Sequence, residues 1–536
     1  MEDTQVAIVG AGPVGLTLAI DLGQRGVRCL LLERNATTAP YPKMDRSNAR
    51  TMEIFRRLGC AGEVRAVGYP PEASMDVFVV TRLCDPPLVR LHYPSVAARR
   101  EELATCNDGS QPVEAYQLVS QNALEPVLKR VAERTPNVTV RYGCEVTGFE
   151  QDAASVTVRT RSVDGAVADV RCAYLAGCDG GVSLVRKTLG IPLSGQGRLK
   201  ELRQVAFWSE QLYDRIPIGK GRHYNFADMN ESVIVVQGNR KEFTLHSTLP
   251  EDVDFETELR GLIGFDVDLK ILEARTWRYN LLLADRYRGG RVFLAGDSAH
   301  LVIPTGGLGM NTGIGDAIDL AWKLAGTLQG WGGPGLLDSY QTERRPIGAR
   351  NVEAAGWAAA GVPLWRALVT PGVRDATPEG EALRKAIAES ASVNQRRMHE
   401  MRGAEFGYSY AGSPLIATEP DDPRAWDTCV YEPGARPGVR LPHMWLSDGR
   451  AIQDVLGADY SLLDLRGDAD LSPFEDAFAA LGAPLQIIRL DEPTLREVYR
   501  APLLLLRPDL HVAWRGDAPP GFVARLAEIA TGRLDA

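Results

Sequence analysis

Two strand-to-glycine junctions, far apart in the chain, constrain its fold more than any other feature. The first spans Gln5–Gly15 and reads Gln-Val-Ala-Ile-Val-Gly-Ala-Gly-Pro-Val-Gly, an apolar strand running into a turn. Gly10, Gly12 and Gly15 stand in G-x-G-x-x-G spacing. After Pro13, Val14–Gly23 has helical apolar spacing, Gly26 stops it, and Val27–Leu32 is a second apolar strand ending at Glu33 and Arg34. Each part has a mechanical reason. Gly10 permits the tight turn, Gly12 lets a pyrophosphate approach backbone, and Gly15 lets helix and strand pack closely. The helix N-terminus offers unpaired N–H groups to the phosphates, and Glu33 is placed to accept ribose hydroxyls. Alone, this junction serves any dinucleotide, or is a glycine turn with no ligand.

The second junction, Arg291-Val-Phe-Leu-Ala-Gly-Asp297, reads as another buried strand ending in Gly296-Asp297. Its carboxylate projects from the carboxyl end of the sheet, where nucleotide ligands sit in open α/β folds, and can accept a hydrogen bond from a ribityl hydroxyl. The plain alternative is an aspartate capping the next helix. Pro304 and then Gly306-Gly307-Leu308-Gly309-Met310-Asn311 follow, glycine-rich backbone suited to lie close to something flat or crowded. Asn311 or Thr312 is expected to cap a helix running to about Thr327, with Ile314, Ala317, Ile318, Ala321, Leu324 and Ala325 as its apolar stripe. Its N-terminus would stabilise negative charge on a reduced flavin. Together the two junctions indicate FAD held from both ends.

Extended to Arg286-Tyr-Arg-Gly-Gly-Arg-Val-Phe-Leu-Ala-Gly-Asp-Ser-Ala-His300, the pair of motifs resembles the single-component flavoprotein aromatic hydroxylases. That family includes phenol, hydroxybiphenyl, hydroxyphenylpropionate and polyketide hydroxylases. Four further blocks are similar: Arg46–Phe55, Gln117–Gln121 with Leu124-Glu125, Ala176–Arg186 and Tyr340–Gly348. The resemblance implies that Arg46 lies against the flavin and its phosphates, that Gln121 contacts FAD, and that Asp179 serves both FAD and NAD(P)H. Read plainly, Asp179-Gly180 is a tight turn, and Arg46 and Arg50 are solvated helix charges. The implied class is α/β: a Rossmann-like FAD-binding domain, an inserted mixed β-sheet substrate domain, and a C-terminal thioredoxin-like domain.

At 536 residues the chain is expected to hold two or three domains. The flavin motifs place a discontinuous FAD-binding domain at 1–75, 112–188 and 281–345. Segments 76–111 and 189–280 alternate apolar and polar residues at strand period, as in Ser232–Gln237 and Phe243–His246, and read as a substrate-binding sheet. A helical pattern, begun near Tyr340, fills 346–403, and 404–536 is the thioredoxin-like part. There Tyr460–Asp464, Leu485–Leu490, Leu503–Arg507 and His511–Trp514 read as strands and Phe474–Leu481 as a helix. No Cys-x-x-Cys is present, which points to a structural or homodimer role for this part. Eight scattered cysteines without metal-ligand spacing read as reduced thiols, and no metal is expected. The net charge of −9 argues against nucleic acid, no apolar run suits a membrane span, and no signal peptide precedes the first strand. The expected location is the cytoplasm.

By resemblance the reaction has three stages: NAD(P)H reduces FAD, O2 forms a C4a-hydroperoxyflavin, and its terminal oxygen goes to an electron-rich ring carbon beside a hydroxyl. Arg46 and Pro304 are the residues expected nearest this chemistry. The substrate expected is a small phenolic or polyketide-like aromatic, and a bulky phenol fits better than a small carboxylated one, because 189–280 has few charges to clamp a carboxylate. Candidate pocket residues are Tyr116, Phe207, His223, Tyr224 and His246, each of which could be an ordinary strand or loop residue; no general base stands out. Trp277 and Phe207 are equally readable as core. The alternative activity on the same fold is Baeyer–Villiger or drug-modifying oxygenation, and a flavin-binding module without activity is more distant.

Overall fold

The computed structural model describes residues 2–42, 44–419 and 426–534. Its first large sheet is built on five parallel strands, Val292–Leu294, Val167–Gly177, Glu2–Val9, Cys29–Leu32 and Val138–Arg141, in that spatial order. Runs such as Val6–Val9 and Cys29–Leu32 are apolar without alternation because a parallel sheet is covered on both faces. Helices Pro13–Gln24 and Leu308–Leu328 pack together across it. Strands Cys144–Gln151 and Val156–Ser162 extend one edge antiparallel. In register, Val9 pairs with Gly177 and Gly177 with Leu294, so three loops leave the sheet side by side at its carboxyl edge.

The second sheet has eight strands, ordered His300–Leu301, Lys270–Ala284, Leu193–Trp208, Glu242–Ser247, Val233–Val236, His223–Phe226, Val77–Val80 and Val89–Leu91. It takes strands from 76–111 and 189–280 and runs on through Ala284 to His300–Leu301, directly beside the Gly296 loop. Period-two alternation gives it two different faces. Phe207, Phe243, Tyr224, Phe226 and Leu245 pack under helix Phe255–Ile263 as a separate core. The opposite face carries His223 and His246 and faces Pro42 and Asp45, with Gln204 Nε2 donating to Pro42 O and His223 beside Asp45.

Helix Pro334–Ala359 crosses the expected boundary at 346 and keeps Pro346 inside it, and Pro378–Asn394 is the next long helix. The C-terminal sheet orders Leu485–Arg489, Tyr460–Asp464, Leu503–Leu506 and Val512–Gly516. Helix Ser472–Ala480 overlaps the expected Phe474–Leu481, starting two residues earlier and ending one earlier, while Pro493–Tyr499 and Val523–Ala530 are two helices that strand periodicity did not suggest. This part shares a core with the first: Trp322, Trp331 and Leu336 pack with Tyr460, Phe478 and Trp514. No helix among the described residues is long and apolar enough to cross a membrane, and the eight cysteines are thiols.

Candidate active site

The three glycines of the first junction answer to different neighbours. Gly10 has φ +103°, and a Cβ there would strike the Cys178 carbonyl. A Cβ on Gly15 would strike the Gly10 carbonyl, so both glycines are required by the protein's own packing. Gly12 differs: a Cβ would meet nothing within 4 Å. The open space lies at the start of helix Pro13–Gln24, where Gly12 is the N-cap and no side chain caps the first N–H groups. A pyrophosphate fits this cradle by charge and by room. Glu33 Oε2 accepts from Ala11 N at 2.9 Å and its Oε1 from Asn35 N at 2.9 Å, which fixes the carboxylate where a ribose would sit; Arg34 beside it is exposed.

At the second junction Gly296 (φ +63°) turns the chain out of strand Val292–Leu294. Its N–H donates to Asp316 Oδ2 at 3.0 Å, and Asp316 is also met by His300 Nε2 and Arg344 Nε, each at 2.8 Å. Burial pushes the Asp316 carboxyl up, but Arg344 and His300 outweigh it and keep it ionised. This buried anion holds the loop. Asp297, by contrast, is exposed in the middle of the short turn Gly296–Ser298, not at its N-cap, which is Ala295.

The helix after the glycine run begins earlier than expected. It spans Leu308–Leu328 with Gly307, at φ +65°, as its N-cap and no capping side chain. Asn311 and Thr312 therefore lie inside it, a correction to their expected capping role: a left-handed glycine entry replaces a side-chain cap. Asn311 instead ties two segments together. Its Oδ1 accepts from Asn48 N at 3.0 Å and Thr51 Oγ1 at 2.6 Å, and its Nδ2 donates to Arg46 O at 3.2 Å. Gly306 (φ +83°) leaves no room for a Cβ against Met401 Sδ, while Pro304 is exposed and Gly307, Gly309 and Met310 are half-buried around the uncapped N–H groups.

Arg46 and Ser47 form a two-residue strand paired with Gln117–Leu118, so neither Arg46 nor the buried Arg50 is a solvated helix charge. Arg46 Nη2 is 2.8 Å from Glu405 Oε1, and its guanidinium lies 5.4 Å from the centre of the Tyr116 ring. Arg50 pairs with Glu53 at 3.2 Å, and Glu53 with Arg440 at 2.7 Å. Gln121 opens helix Gln121–Arg134 and donates to Glu125. Asp179 is engaged in local structure: Oδ1 accepts from Ser183 Oγ at 2.5 Å and Oδ2 from Val185 N at 3.0 Å, with Gly180 at φ +79°.

Two candidate pocket residues belong to the other side of the sheet. Phe207 is fully buried and stacks on Phe243 with centroids 5.2 Å apart; Tyr224 stacks on Phe78 at 5.3 Å and donates to Gly219 O. Both are core, because their strand parity turns them away from the cofactor loops. His223 and His246 have the opposite parity. His246 meets the edge of Trp277 at 5.7 Å, and burial pulls its imidazole down to about 4. Tyr116 donates to Pro94 O at 2.6 Å, with burial raising its phenol. Sequence reasoning missed Asp45, His399 and Glu405, which share no motif and meet only through the fold.

The comparisons with known proteins agree with this geometry. A family model described as FAD binding domain matches residues 3–355, and one described as aromatic-ring hydroxylase, C-terminal, matches 434–535. The chain is 33% identical to the FAD-dependent monooxygenase apdD of Emericella nidulans, covering 96% of this chain and 87% of that protein. It is 31% identical to the aklavinone 12-hydroxylase RdmE of Streptomyces purpurascens, covering 98% of each. Among solved structures, the rebeccamycin biosynthetic enzyme RebC with reduced flavin superposes with a TM-score of 0.91 at 32% identity, covering 99% of each chain.

Proposed function

We infer the reaction from one premise: the chain belongs to the FAD-dependent monooxygenases of the aromatic-ring hydroxylase family. It binds FAD and hydroxylates an aromatic ring that carries a hydroxyl group. FAD, when bound, supplies the oxygen-activating chemistry; the chain supplies binding, orientation and exclusion of water. The observation that carries the site assignment is the convergence of three loops, Gly10–Gly12, Cys178–Asp179 and Gly296–Asp297, at one sheet edge facing the imidazole-bearing sheet.

In this reading Gly12, Pro13 and the uncapped helix start hold the pyrophosphate, and Glu33 with Arg34 holds the adenosine ribose. Asp297 holds the ribityl chain, Gln121 and Asp179 line the approach, and Pro304 with Gly307–Asn311 flanks the ring system. Arg46 supplies positive charge beside the flavin. NAD(P)H is the electron donor, visiting near Asp179 and Arg186, since the chain has one dinucleotide fold. The substrate is a bulky phenol of polyketide type, O2 is the co-substrate, and the location is cytoplasmic, in keeping with eight free thiols.

The test is a panel of phenols, hydroxylated polycyclic aromatics and ketones, monitored for NAD(P)H oxidation, hydrogen peroxide and product mass. Ring-hydroxylated products, with reduction accelerated by the phenol, are expected. Lactones or esters from ketones, with every phenol inert, would overturn ring hydroxylation in favour of Baeyer–Villiger chemistry.

A further inference from the structure

On the flavin-ward face of the eight-stranded sheet, three histidines from distant parts of the chain converge. His223 begins strand His223–Phe226, His246 lies on Glu242–Ser247, and His399 follows the turn Gln395–Met398. The rings of His223 and His399 are 5.5 Å apart. Asp45, next to Arg46, places its Oδ2 3.6 Å from His223 Nε2 and 2.8 Å from Arg222 Nη2. His399 Nε2 is buried without a partner, and so is Trp277 Nε1 beside His246. Buried polar atoms without partners are costly in a folded protein, and two of them in this cluster call for a group that completes their hydrogen bonding.

We propose that His223, oriented by Asp45, is the proton acceptor for the phenolic hydroxyl of the substrate. The proposal rests on the ring-hydroxylation reading and adds to it the group that activates the ring. In the step, the substrate O–H bond breaks, a new N–H bond forms at His223 Nδ1, and the electron pair left on oxygen raises electron density at the ring carbons ortho and para to it. The imidazolium so formed is stabilised by the Asp45 carboxylate, and the phenolate by Arg46 and Arg222. On product release the proton passes to water and the imidazole is neutral again.

The neighbouring groups are each unsuited to the task. Tyr116 spends its hydroxyl hydrogen on Pro94 O, Glu405 is paired with Arg46, and Glu400 accepts from Tyr93. Asp45 is held far below the usual carboxylate range: burial pushes it up, but Arg222 and His223 prevail, leaving it a very weak base. His246 and His399 are pulled down by burial more than Asp45 raises them, His399 well below the ordinary imidazole value. His223 is also lowered, by burial and then by Arg222, while Asp45 opposes the shift. The charged and titratable groups facing it are Asp45, Arg46, Arg222, His246 and His399. It is neutral near pH 7, with Nε2 turned toward the Asp45 carboxylate at 3.6 Å and the other ring nitrogen, Nδ1, as the proton acceptor.

The experiment uses the FAD-loaded wild type, His223→Gln and His223→Asn, and Asp45→Asn to test the positioning role. Phenol, 4-nitrophenol and 1,8-dihydroxyanthraquinone are the probes. Bound-probe absorbance across pH reads the ionisation state, and product mass reads turnover. The wild type is expected to bind 4-nitrophenol or the anthraquinone as phenolate at a pH where it is protonated in water. His223→Gln should raise the apparent pKa of the bound probe and slow hydroxylation of phenol about 10²–10³-fold near neutral pH. The deficit should shrink for 4-nitrophenol and as pH rises through the probe's own pKa, and Asp45→Asn should shift the acid limb of the pH profile. A His223→Gln enzyme with wild-type probe ionisation, or with a deficit constant across pH and phenol acidity, overturns the proposal alone. Loss of FAD from both His223 variants makes the residue structural and also overturns it. A wild type inert to every probe but active on a ketone overturns the hydroxylation reading first.

Discussion

Between the FAD-side helices and the C-terminal sheet, Lys323, Arg507, Asp319, Glu343 and Asp509 are buried together, and every charge meets another. Lys323 Nζ reaches Asp319 at 2.7 Å and Glu343 at 2.5 Å, while Arg507 reaches Glu343 at 2.5 Å, Asp509 at 2.7 Å and Asp319 at 3.1 Å. On and beside the eight-stranded sheet, His223, His246 and His399 are half-buried, and His399 Nε2 has no hydrogen-bond partner. The first arrangement joins two parts of the chain through paired charges; the second has fewer ion pairs and one ring nitrogen without a partner. Ionisable groups in an interior do not by themselves mark a site. The number of charge partners each group has is what differs between the two.

The largest expected effect tests that distinction directly. Arg507→Met should leave Asp319, Glu343 and Asp509 with Lys323 as their remaining cation, and cost about 3–5 kcal/mol. His246→Phe, on the open face, should cost less than about 1 kcal/mol. Urea unfolding of both variants measures this, and equal losses would erase the contrast.

A second effect comes from pH. His511 is 1% exposed, lies 4.4 Å from the Tyr410 ring, and burial pulls its imidazole down to about 4. The unfolded chain takes this proton near pH 6.5 and the folded chain only near 4. Its contribution is therefore whole above the unfolded value and is lost as pH falls through this window, by up to about 3 kcal/mol. His511→Gln should flatten that part of the stability curve, read by melting temperature between these two pH values. An unchanged slope would mean that burial does not lower the His511 imidazole in the folded chain.

The same contrast explains what could be read in advance. The dinucleotide turn was legible because its demands are local: Gly10 needs φ +103°, and Gly15 must admit the Gly10 carbonyl. The start of the Leu308–Leu328 helix was misplaced because Asn311 and Thr312 look like caps, while a left-handed Gly307 does the work without a side chain. Alternation along 189–280 announced a sheet but not which face was core, so Phe207 and Tyr224 were grouped with His223 and His246 although they point the other way. Asp45, His399 and Glu405 carry no local signature. Their roles arise from contacts across hundreds of residues, which no spacing rule encodes.

Within the second junction Asp297 is exposed, while Asp316 is buried and paired with Arg344, His300 and the Gly296 N–H. Asp297→Ala should weaken FAD retention by about 1.5–3 kcal/mol, the range for a hydrogen bond to a charged acceptor. The melting temperature without FAD should fall less than FAD affinity does, since Asp297 is exposed and is not the N-cap of the turn Gly296–Ser298. FAD titration by fluorescence, beside melts with and without cofactor, separates the two quantities. A variant that melts early yet keeps its FAD would make Asp297 structural.

The smallest change to folding should come from Gly12→Ala, and it is the sharpest because its partner Gly15→Ala lies in the same turn. At Gly15 the added methyl must displace the Gly10 carbonyl, so overpacking of about 1–3 kcal/mol is expected. At Gly12 the backbone is extended, with φ −73°, and the methyl meets no protein atom within 4 Å. Folding of the FAD-free protein should therefore change by less than about 0.5 kcal/mol. The methyl nevertheless occupies the space in which a pyrophosphate would meet the first N–H groups of the Pro13–Gln24 helix, so FAD affinity should fall at least about tenfold. Denaturant unfolding of the FAD-free variants and FAD titration of each give four numbers. Gly15→Ala should lose stability with affinity following it, whereas Gly12→Ala should lose affinity alone. If Gly12→Ala keeps its FAD, that open space is not where the pyrophosphate lies, and the cradle must be sought elsewhere along the same sheet edge.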